Sequence, residues 1–348
     1  MKKGLIAALD HIDGRPAAAL LRDGKLIDLL IDPPAGAVQP EAIYRARTGQ
    51  QMKGQNGLIL DMGKGAKGFL KGAKGIAQGT VLLVQAATHA EPHKATPVVP
   101  KIIFKSRYCI ITPTAPGINI ARRIKDDDLR EELLEIVHET LQGDAADFGV
   151  IIRSAAMGAP AEDIGEDIAE TTATAMAVMA QQSGTPELLL PAPNAHARAW
   201  RDWIDPEPSD IETDAGCFEY LGILDQIDML QTPHVRLPNG ASMEIEPTSA
   251  LVAIDVNTGA DFSLGAGLKA NLAAAKELPK QLSLRGLGGQ IVIDFAPSPK
   301  KDRRQIETAL QSALRRDGVD TILVGWTNLG NFELQRKRER LPLSELLS

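Results

Sequence analysis

Ser249-Ala250-Leu251-Val252-Ala253-Ile254-Asp255-Val256-Asn257-Thr258-Gly259 runs an apolar strand into a carboxylate and then a polar turn. Gly289-Gln290-Ile291-Val292-Ile293-Asp294-Phe295-Ala296-Pro297 repeats the design. Such short apolar runs bounded by glycine and proline read as buried strands. Helical spacing fills 267–284 between them and 301–316 after them, and 321–325 reads as a further strand. Strands alternating with helices indicate an α/β domain. An aspartate inside such a run is costly to bury alone, and two on neighbouring strands repel one another. A hard divalent cation relieves both costs; Mg²⁺ suits one or two carboxylates completed by waters and a phosphate, and it can activate water for in-line attack. Asn257 falls on the same side of its strand as Asp255. The competing reading makes both aspartates strand-end residues that accept backbone N–H bonds.

Upstream, apolar runs at 4–9, 17–21 and 26–31, with Asp23-Gly24 between the last two, read as short strands with a hairpin. Runs at 42–48, 57–61, 68–70 and 81–86, with many glycines and little helix, read as a small β-barrel. Beyond 102, a strand candidate at 102–112, helices at 126–141 and 161–182, and strands at 149–154 and 187–190 follow. Residues 202–214 read as a loop, and Pro238-Asn239-Gly240 turns a second hairpin.

Composition narrows the function classes. A net charge of −7 argues against a nucleic-acid partner, yet cations cluster at Lys64, Lys67, Lys71 and Lys74, at Lys300, Lys301, Arg303, Arg304, Arg315 and Arg316, and at Arg336, Lys337, Arg338 and Arg340. Local potential, not the total, attracts a polyanion; solvated basic faces are the plainer alternative. No apolar run is long enough for a membrane span, so no membrane partner and a cytoplasmic location are expected. Cys109 and Cys217 form no CxxC, so no thiolate zinc site is indicated. His11, His89, His93, His138, His196 and His234 are scattered, which speaks against a histidine metal cluster.

The aspartate blocks, with Ala270-Asn271-Leu272-Ala273-Ala274-Ala275 and Gln281-Leu282-Ser283-Leu284-Arg285-Gly286-Leu287-Gly288-Gly289 between them, resemble the catalytic core of the ribonuclease E/G family. The N-terminal half is similar more weakly, through Gly68-Phe69-Leu70, Gly117-Ile118-Asn119-Ile120-Ala121-Arg122-Arg123 and Gly149-Val150-Ile151-Ile152-Arg153-Ser154. The resemblance implies an α/β (α+β) fold: an RNase H-like catalytic domain with an inserted small S1/OB-type β-barrel. It divides the chain into N-terminal strands of the RNase H-like domain (1–35), the barrel (36–100), a 5′-sensor-like and RNase H-like segment (101–220) and the catalytic α/β domain (221–348). It implies a Mg²⁺-dependent endoribonuclease acting on single-stranded RNA in processing or decay, with Mn²⁺ as a substitute metal, water as nucleophile and a 5′-phosphate product. Asp255 and Asp294 would be the metal ligands and, with Asn257, the catalytic set. Phe69, Lys94, Arg122, Arg123, Arg153 and Ser154 would contact RNA, the last two at a terminal phosphate. A catalytically inactive RNA-binding protein that kept the fold is the alternative.

The departures are specific. The family's CPxC motif is absent, so no structural zinc is expected and any homo-oligomer is not zinc-linked. Ile59 replaces an RNA-contacting aromatic, Ser106 a sensor-pocket glycine and Asp320 a basic residue, and segment 259–268 is short.

Overall fold

The computed structural model describes residues 3–73, 75–90, 94–142 and 147–347; Lys74 and His93 lie outside them. The chain forms two compact units, residues 35–208 and a discontinuous unit made of 1–34 and 209–348.

The discontinuous unit opens with β1 (Leu5–Ile12), β2 (Arg15–Arg22) and β3 (Lys25–Ile31), an antiparallel meander. Asp13-Gly14 and Asp23-Gly24 turn its hairpins with positive φ at both residues, the twist that suits tight two-residue loops.

The inserted unit begins with β4 (Ile43–Met52), β5 (Gly57–Asp61), β6 (Lys67–Lys71), β7 (Val81–Ala86) and β8 (Thr96–Val99). They pair in the order β4-β5-β6-β8-β7 and close through β7 onto β4. This is the expected small barrel, filled by Tyr44, Leu58, Leu60, Met62, Leu70, Val84 and Val98. A second sheet follows from β9 (Phe104–Lys105), β10 (Cys109–Thr112), β11 (Gly117–Ile120) and, after α1 (Asp127–Thr140), β12 (Gly149–Ile152). Expected as a single strand, 102–112 is broken at Ser106. The Ser106 hydroxyl (2.6 Å) and the Tyr108 N–H (3.0 Å) both donate to Asp167 Oδ2, which pulls 106–108 into a turn. Asp167 lies on α2 (Ala161–Met179), which is followed by β13 (Glu187–Leu190) on β4 and by α3 (Ala195–Asp202).

The chain then returns to the first unit. Residues 202–214 are not all loop: β14 (Asp210–Glu212) pairs parallel with β1. Two short helices, α4 (Cys217–Tyr220) and α5 (Ile223–Leu230), precede β15 (His234–Arg236), β16 (Ser242–Pro247) and β17 (Val252–Asn257). Next come α6 (Ala266–Leu284), β18 (Gly289–Asp294), α7 (Arg303–Asp317), β19 (Thr321–Trp326), β20 (Phe332–Arg336) and α8 (Leu343–Leu346). The six strands stand in the order β15-β16-β17-β18-β20-β19, with β17 and β18 parallel around the crossover α6. Val252, Ile254, Val256, Ile291 and Ile293 face Ala270, Ala274, Leu278, Ile306 and Leu310 of α6 and α7 in one core. Because side chains alternate along a strand, Asp255, Asn257 and Asp294 fall on the opposite, exposed face. The expected mixed α/β class with a small barrel is therefore what the chain adopts. No helix among the described residues is long and apolar enough to cross a membrane.

Candidate active site

The ladder between β17 and β18 makes Asp255 and Asp294 direct register partners. Adjacent strands stand about 4.8 Å apart, so the two carboxylates are neighbours on the exposed face. The Asn257 amide donates to Asp255 Oδ2 at 2.7 Å and fixes that carboxylate's rotamer. Sequence reasoning missed a third acid in the same row. Glu244 on β16 lies directly opposite Asp255, and His234 Nδ1 lies 2.5 Å from its Oε1. Like charges placed opposite one another destabilise a sheet, so the Glu244–Asp255–Asp294 row is a field that a cation would relieve. The period-two pattern of 241–246 was the signal that could have found Glu244. Among the described residues no group of three or more His, Cys, Asp or Glu side chains is close enough to hold a metal. Asp255 and Asp294 would be the hard oxygen donors for a cation on this face, a chemistry that fits Mg²⁺.

The two aspartates are supported unequally. β17 continues two residues past Asp255, whereas Asp294 is the last residue of β18, and the β20 ladder stops at Ile293. What holds the chain beyond Asp294 is Asn271, fully buried on α6. Its amide donates to the Ala296 carbonyl at 2.9 Å and accepts the Ala296 N–H at 2.9 Å, standing in for a missing strand. Gly267, one turn earlier, lets the loop seat on the helix: a Cβ there would lie 2.0 Å from the Pro297 carbonyl oxygen. A lone asparagine among the apolar positions of α6 was the signal that could have drawn attention to this clamp.

In the inserted unit, β6 turns Lys67, Phe69 and Lys71 to the outside of the barrel and buries Gly68 and Leu70. The Phe69 ring lies over Gly57 and beside Ile59, its register partner. Lys64, Lys94 and Arg122 are exposed, while Arg123 pairs with Asp205. Arg153 is partly buried and already engaged. It donates to Asp202 Oδ1 at 2.9 Å and to the carbonyls of Ser106 and Arg201, just before the short turn that Ser154 opens. Asp202 also takes Lys105 at 2.9 Å and Arg201 at 2.8 Å, and Arg201 reaches Glu41.

Burial would raise the Asp202 pKa, but the Arg201 hydrogen bond and the charges of Lys105 and Arg201 outweigh it and hold the carboxyl well below the usual range. A carboxyl depressed on folding contributes stability above its unfolded pKa and loses it as pH falls toward the folded value. The 35–208 unit should therefore lose thermal stability below about pH 4. Asp202→Asn should flatten that acid limb in melts followed by circular dichroism.

Comparison with known proteins gives the family. The sequence profile of the Ribonuclease E/G family matches residues 104–216 and 209–339. Ribonuclease E of Escherichia coli (strain K12) is 28% identical over 99% of this chain and 38% of its own length. Ribonuclease G of Salmonella typhimurium (strain SL1344) is 25% identical over 88% of the chain and 74% of its own. Ribonuclease E of Nostoc sp. (strain PCC 7120) is 29% identical over 76% and 44%. The chain thus spans less than half of either ribonuclease E but most of ribonuclease G. With the profile matching well over half of its residues, the chain belongs to the ribonuclease E/G family.

Proposed function

We propose that the chain is a Mg²⁺-dependent endoribonuclease that hydrolyses single-stranded RNA. The observation that carries this is the register pairing of Asp255 with Asp294 on the exposed face of the sheet, in a chain of a ribonuclease family. A cation bound there, Mg²⁺ or Mn²⁺ in its place, supplies charge neutralisation at the phosphoryl oxygens and activation of water. The protein does the rest. Asp255 and Asp294 offer hard oxygens at one point, Asn257 keeps Asp255 in its rotamer, and Asn271 keeps the end of β18 in place. An open sheet face admits an extended strand of RNA. On the barrel, Phe69 between Lys67 and Lys71 suits base stacking flanked by phosphate contacts, with Lys94 and Arg122 as further RNA contacts.

The test is incubation of the purified chain with 5′-monophosphorylated single-stranded RNA, with Mg²⁺ or with EDTA. Cleavage only with the metal, yielding 5′-phosphate ends, is the expected result. Binding without cleavage under both conditions would instead make this an inactive RNA-binding member of the family. Because Arg153 is already held by Asp202, 5′-monophosphorylated and 5′-hydroxyl RNAs should be cut at roughly equal rates. A strong preference for the monophosphate would mean that the Arg153–Asp202 pair opens for the RNA end.

A further inference from the structure

Three segments share the rim of the six-stranded sheet where β17 and β18 end. They are the loop 258–265 leaving β17, the start of α7 after the loop from β18, and the turn 327–330 that leads into β20, antiparallel to β18. The first carries Phe262 and Leu264, 93% and 107% exposed. A phenylalanine bared this completely, in the loop that leaves the strand of Asp255, is unusual for a side chain with no surface to cover. At the start of α7, Arg303 lies over the Trp326 ring, its Cζ 4.4 Å from the centroid. Trp326 is itself fixed: its indole N–H donates to Glu307 at 2.5 Å, and its ring packs against Phe332 and Phe295, the neighbour of Asp294. Among the described residues no carboxylate stands within ion-pair distance of Arg303, so an aromatic face, not an anion, orients its guanidinium. Lys300, Lys301 and Arg304 are exposed around it.

A stacked guanidinium keeps its N–H fork for an incoming phosphate, which it can grip with two parallel bonds. An exposed ring offers a platform for a base of any identity, provided that base is unpaired. A cation and an aromatic platform on segments that share one sheet rim with the carboxylate-bearing strand ends match a flexible polynucleotide better than a mononucleotide or a duplex. Resting on the endoribonuclease reading, we propose that Arg303 and Phe262 form an RNA-gripping subsite at this rim. Arg303 takes a backbone phosphate beside the one to be cleaved, and Phe262 stacks on a neighbouring base. The subsite gives the sheet a cation of its own, although Asp320 stands at the position where the family resemblance implied a basic residue.

The two contacts leave different signatures, because a phosphate contact is salt-dependent and stacking is not. The experiment titrates the full chain into a fluorescently labelled single-stranded oligoribonucleotide in EDTA, from about 50 to 200 mM KCl. Arg303→Gln should weaken binding about ten-fold at low salt and reduce the slope of log affinity against log salt by about 0.7. Arg303→Lys, which keeps the charge, should keep the slope. Phe262→Ala should weaken binding about ten-fold with an unchanged slope and should leave binding to duplex RNA as it was. In cleavage assays, both Arg303→Gln and Phe262→Ala should raise KM far more than they lower kcat. A wild-type salt slope in Arg303→Gln, or wild-type affinity in Phe262→Ala, overturns the subsite. If the unmodified chain fails to bind or cut single-stranded RNA, the endoribonuclease reading falls and the subsite with it. If it binds while the variants behave like it, only the subsite falls.

Discussion

Asp294→Asn should lower the cleavage rate on single-stranded RNA by about three orders of magnitude, the equivalent of about 4 kcal/mol of lost transition-state stabilisation. Asp255→Asn should do the same, because the two carboxylates are register partners and, on the proposed reading, serve one cation. Their joint action has a consequence that either single loss lacks. The Asp255→Asn/Asp294→Asn double variant should be scarcely worse than either single one, since residues acting as a unit are not additive. Affinity for RNA in EDTA should hold or rise slightly, as each change removes a negative charge from the face the polyanion approaches. Single-turnover rates and anisotropy titrations on the same preparations check both halves. Multiplicative losses in the double variant would mean that the aspartates work in separate steps. Activity above a tenth of wild type in both singles would remove the pair from the chemistry.

Asn271→Ala should have the next largest effect, through position and not through contact with substrate. The change orphans the N–H and C=O of Ala296 inside the core. Each orphaned group costs about 1–3 kcal/mol, so a loss of roughly 2–5 kcal/mol in unfolding free energy is expected. The end of β18 then loses its Asn271 side-chain clamp, and Asp294 its fixed direction. Losses of about 10–100-fold in metal affinity are usual when the support behind a ligand is removed. The Mg²⁺ concentration for half-maximal cleavage should rise by that factor, with kcat largely recovered at saturating metal. Asn271→Asp keeps the volume and the acceptor but not the donor, and should fall between wild type and alanine. Direct Mn²⁺ titration of folded protein, well below its melting temperature, separates the two roles. Wild-type Mn²⁺ affinity in a destabilised variant would show Asn271 to be structural support alone.

What the sequence discloses here follows from periodicity, and what it conceals follows from distance. Period-two alternation in 252–257 and 289–294 leaves no freedom about faces: once the inner residues pack on α6 and α7, Asp255 and Asp294 must point out. The strand–helix–strand order around 267–284 makes the two strands parallel neighbours, and the ladder then aligns the carboxylates. By contrast, 217–230 hides two short helices, each entered from a left-handed glycine, Gly216 and Gly222, that cuts the apolar pattern too short to read. The break in 102–112 is made by Asp167, sixty-one residues further on from Ser106. Arg153 has its principal anion forty-nine residues away in Asp202, at no spacing a motif could announce. Even the cation clusters mislead when taken whole: Arg336 is spent inside the core on Asp317 and Arg340 on Asp28, while Arg303 stays available.

The insertion of residues 35–208 between β3 and β14 also sets an order in time. On the ribosome that contiguous unit is complete once residue 208 has emerged, and domains generally fold as units in the order they are made. The strands made first must wait: β1 cannot close against β14 until Asp210 arrives opposite Ile6. Asp255 and Asp294 come later still, and the α7 helix that packs beneath them follows both. An unfinished chain therefore carries a folded barrel but no carboxylate pair. On the proposed reading, a nascent chain cannot cut the message it is being read from until both strands and α7 have emerged.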